Sequence, residues 1–166
     1  GKYAAAVTIT DDEDFVVSIK KKDYSFNSTF VSSSDSVFQS PSELNFKLEK
    51  ISKGSSFLIN DINFELDSYD INNQSSQILY EFANYLKLNS NLIISINGYT
   101  DSIGGSSYNL QLSQERAKSV YKKILSLGIS EKRLKYKGYG EENLKYQEDV
   151  NNFKLNRRTE FEIINY

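Results

Sequence analysis

The side chains best suited to chemistry lie in residues 98–117, GYTDSIGGSSYNLQLSQERA, of this 166-residue chain. Asp101 follows an apolar stretch typical of a strand, whereas Asn109 and Arg116 fall within a predicted helix. On an α-helix these two residues are about 20° from superposition, with Ser113 between them. A carboxylate facing a guanidinium could hold a zwitterion, because the first would bind an ammonium and the second a carboxylate.

Two other interpretations compete for the same residues. Asp101 begins an Asp-Ser-Ile-Gly stretch that favours a turn by itself, and an exposed Arg116 needs no ligand. A phosphate loop needs a glycine-rich turn followed in register by lysine, and no lysine follows Gly104-Gly105 in that register. The residues alone therefore disfavour phosphate and leave both the turn and the zwitterion site open.

Composition narrows the class of protein. The chain has no Cys and no His, which removes thiol nucleophiles, thiolate and imidazole metal sites, and the commonest general base. The formal net charge of −2 gives no reason to expect nucleic acid or an anionic membrane as a partner. A glycosidase would need a second carboxylate beside Asp101, and Glu115 points about 100° away from Arg116 around the helix. We therefore expect a binding protein rather than an enzyme, with no cofactor and no metal.

The elements that must position these side chains begin near residue 53. Helical periodicity predicts helices over 75–89 and 106–127, the second ending at Gly128. Strand patterns cover 57–66, 91–98, 133–138 and 158–165. The order β-α-β-α-β-β predicts an α+β, two-layer domain with the helices on one face of a mixed sheet. The GYGE turn at 138–141 is interpreted as shaping the backbone beside that sheet.

Residues 1–52 read differently, as a small and incomplete all-β segment. Short strands are predicted at 3–10, 15–20, 24–31 and 44–51, separated by polar residues as in part of a β-sandwich. Because so small a segment would be marginal alone, we expect it to pack on the rest of the chain or to lack its first strands. It faintly resembles the end of a carboxypeptidase-regulatory-like β-sandwich. The predicted domains are therefore 1–52 and 53–166.

Motifs in register connect residues 54–166 to a known family. They are GYTDSIG (98–104), Tyr108-Asn109, LSQERAKSV (112–120), LGISEKRLKYKGYGEENL (127–144) and NRRTEF (156–161). In order and spacing they resemble the OmpA-like peptidoglycan-binding domain, whose first-strand signature matches Phe64-Glu65-Leu66-Asp67. The chain departs from the family where Tyr99 replaces a frequent His, Leu144 a Pro, and Asn152-Phe153 a Gly-Arg pair. The last two departures concern the loop at 140–155.

The resemblance implies a site and a role. It implies that Asp101 binds the ammonium, and Arg116 the carboxylate, of the diaminopimelate side chain in the peptidoglycan stem peptide. The same match places four further residues in this pocket: Asn109, Thr100, Asp67 and Arg157. Arg158 is equally compatible with a structural role.

The expected function is therefore to bind peptidoglycan and tether the outer membrane, or a complex in it, to the cell wall. The expected location is the periplasmic side of the outer membrane of a Gram-negative bacterium. Contact with that membrane would be made only by parts of the protein outside this chain. The alternative is a protein-interaction or stator-type module whose pocket is vestigial.

Overall fold

A computed structural model describes residues 14–32, 45–59, 62, 64, 68–142, 144–145 and 153–166. The predicted strand at 3–10 lies outside these residues. The elements are β1 (Phe15–Ile19), β2 (Asn27–Val31), β3 (Ser56–Leu58), α1 (Asn73–Leu88), β4 (Ile93–Gly98), α2 (Ser106–Ser126), a 3-10 turn (Glu131–Arg133), β5 (Leu134–Gly138), α3 (Phe153–Asn156) and β6 (Thr159–Asn165).

Four strands form the main sheet, in the order β3-β6-β4-β5. β4 runs parallel to β5 and antiparallel to β6, which also pairs antiparallel with β3. The sheet is therefore mixed, and the predicted α+β fold is confirmed. Gly98 at the end of β4 pairs with Gly138 at the end of β5, so the loops that follow these two strands leave the sheet at the same edge.

The core lies between one face of this sheet and the two long helices. Alternate residues of β4 and β6 point into it, and their apolar side chains are fully buried. Phe82 of α1 meets Phe161 of β6 edge to face, with ring centroids 4.6 Å apart. α2 packs against α1, β4 and β5. Gly128 follows α2 with φ of 90°, a conformation that favours glycine, and ends that helix as predicted.

The described part of the N-terminal segment packs on α1. Phe26 is 2% exposed, and its ring lies 5.3 Å from that of Phe82 and 5.6 Å from that of Tyr85. The Tyr85 hydroxyl also donates a 2.7 Å hydrogen bond to the Tyr24 carbonyl. These contacts add the segment to the same apolar core. The division of the chain at residues 52 and 53 stays a prediction.

Among the described residues, two predicted strands form little or no ladder, and the strand predicted at 24–31 begins at Asn27. Residues 45–49 form no strand, and Lys50 contributes only an isolated bridge to Tyr24. Within the predicted strand 57–66, the ladder with β6 ends at Leu58, and Phe64 forms an isolated bridge with Ile71. In both cases β-forming residues lack a continuous neighbouring strand, and a ladder needs one.

Candidate functional site

Two glycines let α2 lie unusually close to the ends of β4 and β5. A Cβ atom on Gly138 would be 2.3 Å from the backbone nitrogen of Gln114, and one on Gly98 would be 2.5 Å from the Ser113 carbonyl oxygen. Both distances are far shorter than van der Waals contact, so only glycine permits this approach. The close approach brings the first turns of α2 to the loops that follow both strands.

Hydrogen bonds hold the two loops together beneath α2. The Thr100 backbone N–H donates to the Gly140 carbonyl at 2.8 Å. The Gly140 N–H donates to the Ser113 hydroxyl at 2.8 Å, and that hydroxyl donates to the Leu110 carbonyl at 2.9 Å. Ser113 is fully buried. It therefore links the loop after β5 to the row of α2 that carries Asn109 and Arg116.

Asp101 lies at this junction and is 5% exposed. Its Oδ1 accepts the backbone N–H of Ile103 at 3.1 Å, which forms the turn expected of such an aspartate. Its Oδ2 accepts Nη1 of Arg157 at 2.9 Å. The turn and the charge pairing, which were alternatives in the sequence, therefore coexist in the fold.

Asn109 lies beside Asp101 and is 2% exposed. Its Nδ2 donates to the Asp101 carbonyl at 3.3 Å and to Oε2 of Glu141 at 2.7 Å. The Ser106 hydroxyl donates to the other oxygen of Glu141, also at 2.7 Å. These bonds, from Ser106 and then from Asn109, lower the pKa of the Glu141 carboxyl below its usual value.

Arg116 lines a cavity of about 180 Å³. Its Nε donates to the Ser68 carbonyl at 3.2 Å, and its guanidinium lies 5.1 Å from the centre of the Phe64 ring. The cavity is lined by Ile62, Phe64, Gly98, Tyr99, Arg116, Arg157, Arg158 and Thr159. The fold thus brings Arg116 and Arg157 to one cavity, and Arg157 connects that cavity to Asp101 through their ion pair.

The remaining predicted site residues either lie outside the cavity lining or are not described by the structure. Thr100 is 3% exposed, and its hydroxyl has no hydrogen-bond partner among the described residues. Thr100, Asp101 and Asn109 adjoin Arg157 or its partners but are not part of the cavity lining. Asp67 lies outside the described residues, so its position relative to Arg116 stays a prediction.

A stack of charged and aromatic groups supports the strand end that precedes Asp101. The Arg158 guanidinium lies 3.8 Å from the centre of the Tyr99 ring, which stacks on Tyr139 with centroids 5.1 Å apart. Nε of Arg158 donates to Oε1 of Glu160 at 2.7 Å. Burial opposes ionisation of Glu160, but hydrogen bonds from Arg158 and Lys145 outweigh it and lower the pKa of that carboxyl. Arg158 thus has structural contacts and also lines the cavity.

Comparison with known proteins identifies the family. Residues 63–158, more than half of the chain, match the OmpA family. The chain belongs to the OmpA family. The peptidoglycan-associated lipoprotein of Buchnera aphidicola subsp. Baizongia pistaciae is 35% identical over 121 residues, which cover 71% of this chain and 67% of that protein. The chain spans about two thirds or less of the length of the lipoproteins it matches.

Solved structures of similar fold agree with this membership. The peptidoglycan-associated lipoprotein from Burkholderia pseudomallei superposes with a TM-score of 0.53 at 28% identity, covering 67% of this chain and 89% of that one. The periplasmic domain of Helicobacter pylori MotB gives a TM-score of 0.59 at 25% identity, covering 69% and 78%. The OmpA-family part of this chain therefore has the fold of both proteins.

Sequence reasoning missed Glu141 in this OmpA-family domain. The GYGE turn was interpreted as shaping backbone, whereas the structure also directs the Glu141 side chain to Ser106 and Asn109. A signal was present, because residues that follow two adjacent parallel strands meet at one edge of the sheet. Asp101 follows β4 and Glu141 follows β5, so both carboxylates could have been placed together.

Two further features of the described residues concern metals and membranes. The described residues contain no cluster of three or more acidic, His or Cys side chains able to hold a metal ion. None of the helices in the described part of the chain has the length and apolar character needed to cross a bilayer.

Proposed function

We propose that this chain binds peptidoglycan non-covalently by recognising the diaminopimelate residue of the stem peptide. The observation that carries the proposal is the cavity that Arg116 and Arg157 share, with the buried Asp101 carboxylate paired to Arg157. Membership of the OmpA family, with relatives named peptidoglycan-associated lipoprotein, supports the choice of polymer.

The free end of the diaminopimelate side chain carries one ammonium and one carboxylate, and each has a partner here. An ionised carboxylate offers about four lone-pair positions, of which Asp101 uses two for Ile103 and Arg157. The ammonium would occupy the others or displace the Arg157 guanidinium. The ligand carboxylate would bind the Arg116 guanidinium, and the methylene groups that connect this end to the rest of the stem peptide would pack on Ile62 and Phe64 at the cavity wall.

The expected affinity for a single site is low. Each charge-assisted hydrogen bond contributes about 1.5–3 kcal/mol, and immobilising the ligand offsets part of that gain. Two or three such bonds predict dissociation constants from about high micromolar to millimolar. Because the cell wall presents many copies of the stem peptide, a tethered protein gains effective concentration and binds durably.

The cellular role is a consequence of that binding. The chain would link the outer membrane, or a complex in it, to the cell wall on the periplasmic side of a Gram-negative envelope, with membrane contact made by other parts of the protein. The proposal includes no reaction. It does include specificity, because a lysine-type stem peptide keeps the side-chain ammonium but lacks the side-chain carboxylate that Arg116 would bind in the diaminopimelate type.

Sedimentation with purified cell walls tests the proposal. We expect Asp101→Asn and Arg116→Ala each to lose retention on diaminopimelate-type sacculi, and the wild type to bind lysine-type sacculi weakly. Asn at 101 can still accept the Ile103 N–H, so the turn is preserved. Lys122→Ala is the matched control, since it removes one exposed positive charge from the same helix. Normal retention by both site variants would disprove the assignment.

The alternative is an interaction module whose pocket has no ligand, and the likeness to the periplasmic domain of H. pylori MotB is compatible with it. Titration with a diaminopimelate-containing tripeptide separates the two functions. Binding to the proposed site would give a heat signal and shift the NMR signals of Asn109. The absence of both effects at millimolar peptide would favour the interaction module.

A further inference from the structure

Glu141 makes a bridge between the loop after β5 and the start of α2. One carboxylate oxygen accepts the Ser106 hydroxyl and the other accepts the Asn109 amide, each at 2.7 Å. Ser106 is the first residue of α2, where the helix dipole also favours a negative charge. The bridge therefore holds a carboxylate where two donors and a helix end all stabilise its charged form.

This bridge determines which way the Asn109 amide faces. Nδ2 has two hydrogens, and its two partners, the Asp101 carbonyl and the Glu141 carboxylate, can only accept. The NH₂ group must therefore face both of them, and the amide oxygen must face the other way. Oδ1 lies 3.6 Å from where a Cβ atom on Gly104 would be, a position that glycine leaves empty.

We propose that Glu141 is a positioning residue, whose carboxylate fixes the Asn109 amide beside Asp101, so that Oδ1 is the atom left to accept a hydrogen bond from a ligand group held at Asp101. Asn109 then acts as an acceptor and recognises an N–H donor, either the ligand ammonium or a peptide amide. Asn109 therefore assists Asp101, which binds the positive group of the zwitterion, and not Arg116, which binds the negative group. This inference rests on the proposed function, and it assigns to Glu141 a role beyond the backbone-shaping one expected of the GYGE turn.

Replacing Glu141 in two ways separates its charge from its hydrogen bonds. Gln can retain both contacts, since its oxygen can accept from Asn109 while its NH₂ donates to the Ser106 hydroxyl. Glu141→Ala retains neither. We expect calorimetric titration with a diaminopimelate-containing tripeptide to show affinity about five- to tenfold weaker for Glu141→Ala and within about twofold of wild type for Glu141→Gln. Glu142→Ala is the matched control, because it removes an exposed carboxylate from the adjacent position.

A double-mutant cycle tests whether Glu141 acts through Asn109. If it does, adding Glu141→Ala to Asn109→Ala causes no further loss of affinity. In the free protein, Glu141→Ala should also move the NMR signals of the Asn109 side-chain NH₂ towards those of an unbonded amide, whereas Glu142→Ala should not.

Three results would overturn the inference. They are wild-type affinity in Glu141→Ala, an equal loss in the Asn109→Ala background, and unchanged Asn109 amide signals. All three results presuppose that the wild-type protein binds the tripeptide, so the proposed function would still hold. Failure of the wild type itself to bind would instead reject the proposed function and this inference with it.

Discussion

The Arg157 guanidinium binds the Asp101 carboxylate, with 2.9 Å between Nη1 and Oδ2, although the two residues are 56 positions apart in the sequence. The Asp101 side chain is 7% exposed, whereas that of Arg157 is 43% exposed. The pair therefore joins a buried carboxylate to a cation that reaches the cavity shared with Arg116. It therefore links the loop at the end of β4 to the cavity in which the ligand is proposed to bind.

Removing the cation of this pair should destabilise the fold. In Arg157→Ala, the buried Asp101 carboxylate keeps the Ile103 N–H but loses its charged donor. We expect the free energy of unfolding, measured with urea, to fall by about 1–3 kcal/mol. Lys122→Ala, which removes an exposed charge from α2, should change it by less than about 0.5 kcal/mol. Equal values for the two variants would mean that the pair contributes nothing to stability.

Adding one methyl group at the end of β5 should separate α2 from the sheet. In Gly138→Ala the new Cβ atom would overlap the Gln114 backbone, which cannot move like a flexible side chain. We expect a loss of about 1–3 kcal/mol or more in the free energy of unfolding, together with weaker peptidoglycan binding. The control is Gly105→Ala, where a Cβ atom has nothing within 4 Å and the expected loss is below about 1 kcal/mol. A fully stable Gly138→Ala protein would contradict the close approach.

The N-terminal segment should contribute directly to stability through Phe26. Truncating this buried ring leaves a cavity beside Phe82 and Tyr85, so Phe26→Ala should lower the free energy of unfolding by about 3–5 kcal/mol. Tyr80→Ala, at a 53%-exposed position on α1, is the control and should have a small effect. If Phe26→Ala behaved like that control, the segment would not be part of the core.

Stability should decrease at alkaline pH partly because of Tyr99. Burial, and then the nearby Glu160 carboxylate, raise the pKa of Tyr99 to about 12, against about 10 in an unfolded chain. Between these values the folded protein holds the phenol proton that the unfolded chain releases. Its contribution is therefore complete below about pH 10 and is lost as the pH rises towards 12.

Replacing Tyr99 by Phe isolates this effect. Tyr99→Phe keeps the ring that contacts Arg158 and stacks on Tyr139 but has no phenol proton to release. Its free energy of unfolding should decline less steeply than that of wild type between about pH 10 and 12. Urea unfolding at several pH values measures both slopes, and identical slopes would show that Tyr99 ionises alike in both states.

The sequence predicted both long helices to within two residues, and it did the same for the strands at 15–20, 91–98, 133–138 and 158–165. The extent of other strands was not predicted as well. The helix predicted at 75–89 is observed at Asn73–Leu88, and the one predicted at 106–127 is observed at Ser106–Ser126. Helical hydrogen bonds are local, so the apolar period of one segment is sufficient evidence. Among the described residues, the strand predicted at 44–51 has only a bridge at Lys50, and the ladder of the one predicted at 57–66 ends at Leu58. A strand needs a paired neighbour, and that neighbour is remote in sequence.

The sequence alone determined the chemistry available to this protein and its local geometry. Without Cys or His, no thiolate or imidazole could take part in binding, and helical phase aligned Asn109, Ser113 and Arg116 approximately along one face. Only the tertiary structure decided which remote groups complete the site, bringing Arg157 to Asp101 and Glu141 to Asn109. The physical reason is that backbone hydrogen bonds are alike for every strand pairing, so packing of the whole core selects the neighbours and the register.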